Sequence, residues 1–86
     1  MAEYRVEITR PASKELEDLG PRAGRGLLAS IEALASHPRP RQCRKLTGSE
    51  DSYRLRVGVY RVLYQIDDED KKIIVYAVGH RRDIYR

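Results

Sequence analysis

The 86-residue sequence has no phenylalanine, no tryptophan and only one cysteine, Cys43. One cysteine excludes an intrachain disulfide and a zinc site made of four cysteines. No apolar run approaches the ~20 residues that a membrane span needs, so we expect no membrane partner. A single cysteine fits a reducing compartment, so we expect a cytoplasmic location. The composition, 41% hydrophobic and 35% charged, is typical of a soluble domain, which we assign to residues 1–86.

Residues for familiar catalytic and metal chemistry are also scarce. The two histidines are isolated from each other, and no hydrolase motif with a serine or cysteine nucleophile is present. The acidic residues of 67–70 suit a solvated hairpin turn better than a site for a hard metal ion. We therefore expect no cofactor, no metal and no small-molecule ligand. RNA cleavage remains open, because the 2′-OH of RNA is itself a nucleophile.

Positive charge is concentrated in one part of the chain. The formal net charge is +4, and residues 39–61 hold seven basic and two acidic side chains. Such a segment favours a basic patch for a polyanion, with an ordinary solvated face as the alternative.

The first half of the sequence predicts a strand followed by two helices. Apolar and polar residues alternate over 4–9, as in a strand with one buried face. Pro11 suits the first turn of a helix, and Gly20 followed by Pro21 ends that helix and begins another. The second helix should run to Ser36, before a segment with two prolines.

The second half predicts strands alone. A short strand is possible around residues 45–46, and longer strands are predicted over 53–57, 60–67 and 72–79. The last of these is almost wholly apolar, which indicates a central strand covered on both faces. Short connections imply an antiparallel meander. The predicted fold class is α+β, in the order β-α-α-β-β-β, with both helices on one face of a small sheet.

The stretch YRLRVGVYRVLYQI, residues 53–66, places arginines on one side of the meander. If Leu55 and Val62 point towards the helices, then Arg54, Arg56 and Arg61 point to the open face of the sheet. Guanidinium groups bind phosphate by two-point contacts and stay charged at any cellular pH. The pattern therefore predicts a face that holds a nucleic-acid backbone without reading its bases.

This stretch, together with PASKELEDL before it and VGHRRDIY after it, resembles the toxins of the RelE/ParE superfamily, RelE-like branch. The resemblance covers nearly the whole chain. It implies a microbial-RNase-like fold and a toxin of a type II toxin–antitoxin pair. The implied activity is a ribosome-dependent endoribonuclease, or mRNA interferase, that cleaves mRNA in the A site by metal-independent transesterification from the 2′-OH. The implied partners are the ribosome, its mRNA and a RelB-like acidic antitoxin.

The resemblance also implies roles for individual residues. The catalytic positions fall on Arg61, Arg81 and Tyr85, with His80 as a further candidate for proton transfer. The RNA-binding positions fall on Lys45, Arg54 and Arg56.

Some family members carry lysine where this sequence has Arg54 and Arg56. Arginine does not lose its proton in proteins, so neither residue is a credible general base here. Tyr85 and His80 remain as the candidates for moving the proton.

Two alternative functions stay open. A ParE-like toxin would have the same fold and inhibit DNA gyrase without nuclease activity, and a decayed toxin would only bind its antitoxin. Whichever of these functions holds, we expect an acidic antitoxin to lay an amphipathic helix across the two-helix face and to neutralise the basic face.

Overall fold

The computed structural model describes residues 3–80, which form two helices and a five-stranded mixed sheet. No helix in this part of the chain is long and apolar enough to cross a membrane. The spatial strand order is β1-β5-β4-β3-β2, with β1 parallel to β5 and the other pairs antiparallel. The elements are β1 Arg5–Ile8, α1 Arg10–Asp18, α2 Pro21–Ala33, β2 Cys43–Lys45, β3 Ser52–Val57, β4 Tyr60–Asp67 and β5 Lys72–His80. The predicted fold class and meander are confirmed, and the short strand left as possible around 45–46 is present as β2, so the sheet has five strands rather than four.

The first helix begins where the sequence predicts it. The Thr9 hydroxyl accepts a hydrogen bond from the Ala12 backbone N–H (3.3 Å), which satisfies one of the donors left open at a helix N-terminus. At the other side of α1, a Glu15 carboxylate oxygen accepts a bond from the Val78 backbone N–H (2.9 Å). Val78 lies beyond the end of the β1–β5 pairing, so no β1 residue accepts from its N–H. The Glu15 carboxylate accepts this bond instead and links α1 to β5.

The second helix is shorter than predicted, ending at Ala33 rather than at Ser36. Over 34–36 the backbone N–H groups bond to carbonyls three residues back, which is the tight turn common at helix ends. Gly24 has a packing role, because a Cβ there would lie 3.2 Å from the Leu16 carbonyl oxygen of α1. The glycine therefore allows the two helices to approach each other closely.

The core lies between the helices and one face of the sheet. Leu55 and Val62 are buried there, as the strand pattern predicts, and Val57 packs against the same cluster. Tyr64 is fully buried, and its ring stacks with that of Tyr53 at 5.9 Å between centroids. The buried core consists of Ala12, Leu27, Ile31, Leu34, Tyr53, Leu55, Val62, Tyr64, Ile66, Ile73, Val75 and Val78.

Strand β5 pairs on both sides, as expected for an interior strand, but the prediction that both its faces are covered is wrong. Ile74 and Ala77 are only half-buried, because both helices lie on the other face. The pairing with β4 also shifts register: Leu63 lies opposite Ala77 and Tyr64 opposite Val75, so Tyr76 is skipped. This β-bulge brings Val78 back to the core side.

The loop between α2 and β2 is held against the sheet by Arg39. Its guanidinium forms an ion pair with Asp68 in the β4–β5 turn (Nη2–Oδ2, 2.9 Å) and donates from Nε to the Tyr53 hydroxyl (3.0 Å). It also lies over the Tyr53 ring, 5.2 Å from the centroid. The Tyr64 hydroxyl donates to the Pro38 carbonyl (2.8 Å). Two tyrosines of the sheet therefore fix the start of the loop.

These contacts shift the ionisation of the groups that make them. The hydrogen bond from Arg39, with a second from the Tyr4 hydroxyl, lowers the pKa of Asp68, and the same ion pair raises the pKa of Arg39. Burial raises the pKa of Tyr64, which therefore stays protonated and able to donate. Asp68 thus joins the loop, the β4–β5 turn and the residue before β1.

We predict that Asp68→Asn destabilises the fold at neutral pH, because it removes the charge that Arg39 and Tyr4 bind. A carboxylate with a lowered folded pKa stabilises the fold above its ordinary pKa of about 3.9, and this contribution is lost as pH falls through the lowered value. Urea denaturation from pH 7 to pH 2 should therefore show a parent-to-variant difference that disappears at acidic pH. Glu69→Gln in the same turn is the control, and an equal effect of both variants would contradict the prediction.

Candidate nucleic-acid interface

Two pairs of arginines lie directly opposite each other in neighbouring strands. Arg44 of β2 is the register partner of Arg54 in β3, and Arg56 of β3 is the partner of Arg61 in β4. Directly opposed residues of antiparallel strands project from the same face with Cβ atoms ~5 Å apart, and like charges so placed destabilise a sheet. The four arginines occupy the face away from the helices, because Leu55 between Arg54 and Arg56 lies in the core.

Strand β3 carries the central residues of both pairs. Arg54 and Arg56 are two residues apart, which is about 7 Å along a strand. Gly58 follows at the β3–β4 turn with a φ of 61°, in the first position of a two-residue loop where glycine is favoured. This tight turn sets the register that brings Arg61 opposite Arg56.

The two arginines of the second pair differ in depth. Arg61 is 9% exposed, whereas Arg56 is exposed to solvent. On its other side Arg61 faces Gly79 of β5, which has no side chain, and the next residue on the same face of β4, Leu63, is buried too. A guanidinium at this position is partly shielded from water, which strengthens its interaction with any anion that it contacts.

A cleft of about 260 Å³ adjoins these pairs at the β2 edge of the sheet. Its walls carry four positive charges and no apolar side chain, and the residues that line it are Arg41, Gln42, Arg44, Arg54 and Arg56. Guanidinium groups around a small polar cleft can bind a phosphate or another compact anion through several charge-assisted hydrogen bonds.

The register separates two predicted site residues from the arginine pairs. Lys45 is the partner of Tyr53, and His80 is the partner of Tyr60, whose ring it meets edge-on at 6.0 Å between centroids. Both partners lie on the helix side of the sheet. Arg54, Arg56 and Arg61 are brought together as predicted, whereas Lys45 and His80 are placed on the other side. Two further predicted site residues, Arg81 and Tyr85, lie outside the described residues.

The sequence analysis missed Arg41, Gln42 and Arg44. The short strand was expected around 45–46, two residues too late, and Lys45 was assigned to RNA binding from the family resemblance alone. Cys43 is half-buried opposite Leu55, which leaves the next residue, Arg44, on the open face. The alternation of apolar Cys43 and basic Arg44 could have indicated which residues of this strand face the core. A strand of three residues is too short, however, for the alternation to be recognised in the sequence.

Metal ligands do not gather anywhere within residues 3–80. No group of three or more histidine, cysteine, aspartate or glutamate side chains lies close enough there to hold an ion. The side chains gathered at the open face are cationic, so they suit anionic ligands.

Comparison with known proteins identifies the family. Residues 6–85 match the family model described as "ParE toxin of type II toxin-antitoxin system, parDE". The chain belongs to the RelE/ParE superfamily of toxins. It is similar to toxin RelG of Mycobacterium tuberculosis, with 35% identity over 91 residues that cover 96% of this chain and 97% of that protein. It is also similar to the mRNA interferase toxin RelE of Escherichia coli, with 32% identity covering 91% of this chain and 83% of that protein.

The fold resembles that of solved structures of RelE-like members of the superfamily. The archaeal RelE–RelB complex from Pyrococcus horikoshii contains a chain that superposes with a TM-score of 0.81 and 36% identity, covering 94% of this chain and 98% of that one. The protein is therefore a RelE-like toxin of the type II toxin–antitoxin class.

We predict that Arg56→Gln stabilises this toxin at low ionic strength, by about 0.2–1 kcal/mol, because it removes a like charge directly opposite Arg61. Salt screens the repulsion, so the gain in free energy of unfolding should shrink as salt is added. Urea titrations at two salt concentrations measure it. Arg25→Gln, an exposed change beyond the first turn of α2, is the control, and a less stable Arg56→Gln at low salt would contradict the prediction.

Proposed function

We propose that this toxin is a ribosome-dependent endoribonuclease that inhibits translation by cleaving mRNA in the A site. The observation that carries the proposal is the presence of two pairs of directly opposed arginines, Arg44–Arg54 and Arg56–Arg61, on the open face of the sheet. Such pairs cost stability in the free protein and are useful where a polyanion binds. Similarity to the E. coli mRNA interferase supports RNA as that polyanion.

The proposed reaction is a transesterification in which the 2′-OH attacks the adjacent phosphorus and the 5′-oxygen leaves. Arg61 and Arg81 stabilise the charge on the phosphorane or the leaving group, and Arg54 and Arg56 hold the backbone. The 2′-OH is supplied by the substrate, so the chemistry needs neither a metal nor a cofactor. Lys45 is the register partner of Tyr53, which lies on the helix side of the sheet, so its RNA-binding role stays a prediction.

Proton transfer is assigned to Tyr85, with His80 as the second candidate. The register counts against His80 on the arginine face, because His80 pairs with Tyr60 on the helix side of the sheet. A positioned general acid or base contributes ~10²–10⁴ to a rate. Neither Arg54 nor Arg56 can share this task, because arginine stays protonated.

A second candidate function is inhibition of DNA gyrase without nuclease activity. The observation in its favour is the description of the matching family model, which is that of ParE toxins. The two functions differ in their target, so one experiment in cells separates them.

We predict that inducing this toxin produces cuts within the codons of a translated mRNA. Primer extension should map these cuts, and they should vanish when translation of that mRNA is blocked. Arg61→Ala should abolish most cleavage, Tyr85→Phe should reduce it by ~10²–10⁴ and His80→Gln should cost less. Arg22→Gln on α2 is the matched control for loss of one charge.

Intact mRNA together with broken DNA would contradict the nuclease and support gyrase inhibition. Parent-level cleavage by Tyr85→Phe would remove tyrosine as the proton-transfer group but leave the nuclease standing. Growth without damage to either nucleic acid would indicate a decayed toxin.

We further propose that an acidic RelB-like antitoxin binds this toxin. Similar chains occur in RelE–RelB complexes, among them that of P. horikoshii. On the helix side, an apolar groove of about 510 Å³ runs between α1, α2 and the end of β1, and Leu28 on its wall is 37% exposed. An amphipathic helix fits such a groove through residues three and four apart. The groove is lined by Ile8, Ser13, Leu16, Glu17, Gly20, Pro21, Gly24, Arg25 and Leu28.

We predict that Leu28→Glu weakens the complex with the antitoxin encoded beside this toxin. The change places a charge on the groove wall, where an apolar antitoxin side chain would pack. Gel filtration of the co-expressed pair should give a salt-resistant complex for the parent and separate peaks for the variant. Glu32→Gln, an exposed change on the same helix, is the control. Parent proteins that elute separately at micromolar concentration would refute the pairing.

A further inference from the structure

The polar cleft at the β2 edge extends the arginine face beyond the Arg56–Arg61 pair. Arg44 and Arg54 form the next opposed pair along β3, and Arg41 from the preceding loop closes the cleft. The β3 members of the two pairs, Arg54 and Arg56, are two residues apart, about 7 Å along the strand. This spacing is similar to the separation of successive phosphates in a single-stranded nucleic acid.

We propose that Arg41, Arg44 and Arg54 form a second phosphate subsite, which binds the phosphodiester next to the one held by Arg56 and Arg61. The inference rests on the proposed function, because it takes RNA as the substrate of the arginine face. It adds Arg41 and Arg44 to the binding residues and makes two consecutive phosphates the unit that is recognised.

The Arg44 side chain of the subsite is held before any ligand binds. Arg44 donates from Nη1 to two backbone carbonyls, those of Arg41 (3.2 Å) and Cys43 (2.9 Å). Both bonds use one nitrogen of a guanidinium that has five N–H donors, so its other N–H groups can bind a phosphate. The Cys43 N–H donates to the Pro40 carbonyl (3.0 Å), which closes a turn just before β2.

The loop that carries Arg41 is fixed at both ends. At its start, Arg39 is bound to Asp68 and Tyr53. At its end, the Arg56 N–H points to the Gln42 carbonyl (3.4 Å). A preorganised set of donors binds an anion with little loss of side-chain entropy. The subsite therefore suits a phosphate of fixed position better than a loose ion cloud.

A phosphodiester fits this cleft better than an acidic protein segment does. The lining residues are all polar, with no apolar pocket for an anchoring side chain. Protein interfaces rely on such apolar anchors, and the toxin offers them in the groove between α1 and α2. Arginine forks match the geometry of phosphate, and phosphate contacts dominate RNA backbone binding.

Calorimetric titration with 2′-O-methyl oligoribonucleotides tests the proposal, because these RNA analogues cannot be cleaved. A dinucleotide has one phosphodiester and a trinucleotide has two. The parent should bind the trinucleotide roughly tenfold more tightly, the gain of about one charge-assisted contact. The plot of log K against log salt should be steeper for the trinucleotide by about 0.7.

The double variant Arg41→Gln, Arg44→Gln should lose both the affinity gain and the extra salt slope, so that it binds the dinucleotide and the trinucleotide with equal affinity. Arg10→Gln, Arg22→Gln removes the same charge from the exposed helix side and should keep both. Thermal unfolding of each variant checks that it is folded.

Three results would overturn the subsite. The first is a parent that binds the trinucleotide no more tightly than the dinucleotide. The second is a double variant that keeps the parent's gain in affinity for the trinucleotide. The third is a double variant that binds RNA like the parent but no longer forms the complex with its antitoxin. The last result would assign the cleft to the acidic partner. A toxin that shows the tenfold gain but never cleaves translated mRNA would refute the proposed nuclease and leave the subsite intact.

Discussion

The antiparallel register of β2, β3 and β4 is the constraint on which the functional surface depends. It makes Arg44 face Arg54 and Arg56 face Arg61, so that charges which repel each other project from one side of the sheet. The same register sends Leu55 and Val62 to the other side, where the helices cover them. One alternation of residues therefore builds the core and the basic face together, and a slip by one residue would exchange them.

The helices leave the arginine face open because both pack on the same side. Gly24 lets α2 approach the Leu16 carbonyl of α1, and Glu15 fixes α1 to the N–H of Val78. The loop after α2 then crosses to the far edge of the sheet, held by Arg39 on Asp68 and Tyr53. The loop thus brings Arg41 to the cleft. Contacts that hold the start of this loop therefore help to position one residue of the arginine face.

Much of this arrangement could be predicted from the sequence, because long alternating segments fix both strand identity and face. Strand β4 was predicted with its observed bounds, and Arg54, Arg56 and Arg61 were predicted on one face. The three-residue strand β2 could not be predicted correctly, since its pairing with β3 determines its position more than its own pattern does. The side of His80 depends on the bulge at Tyr76, which shifts the register by one residue without a signal in the sequence.

We propose that the open sheet face, and not the helix side, binds the RNA backbone. The most direct test is an NMR titration of arginine side-chain Nε–Hε signals with a non-cleavable 2′-O-methyl oligoribonucleotide. If RNA binds the open face, the signals of Arg54, Arg56 and Arg61 should shift in a saturable manner while those of Arg22 and Arg25 on α2 stay unchanged. Saturable shifts confined to the α2 arginines, or no shift at any arginine, would contradict it.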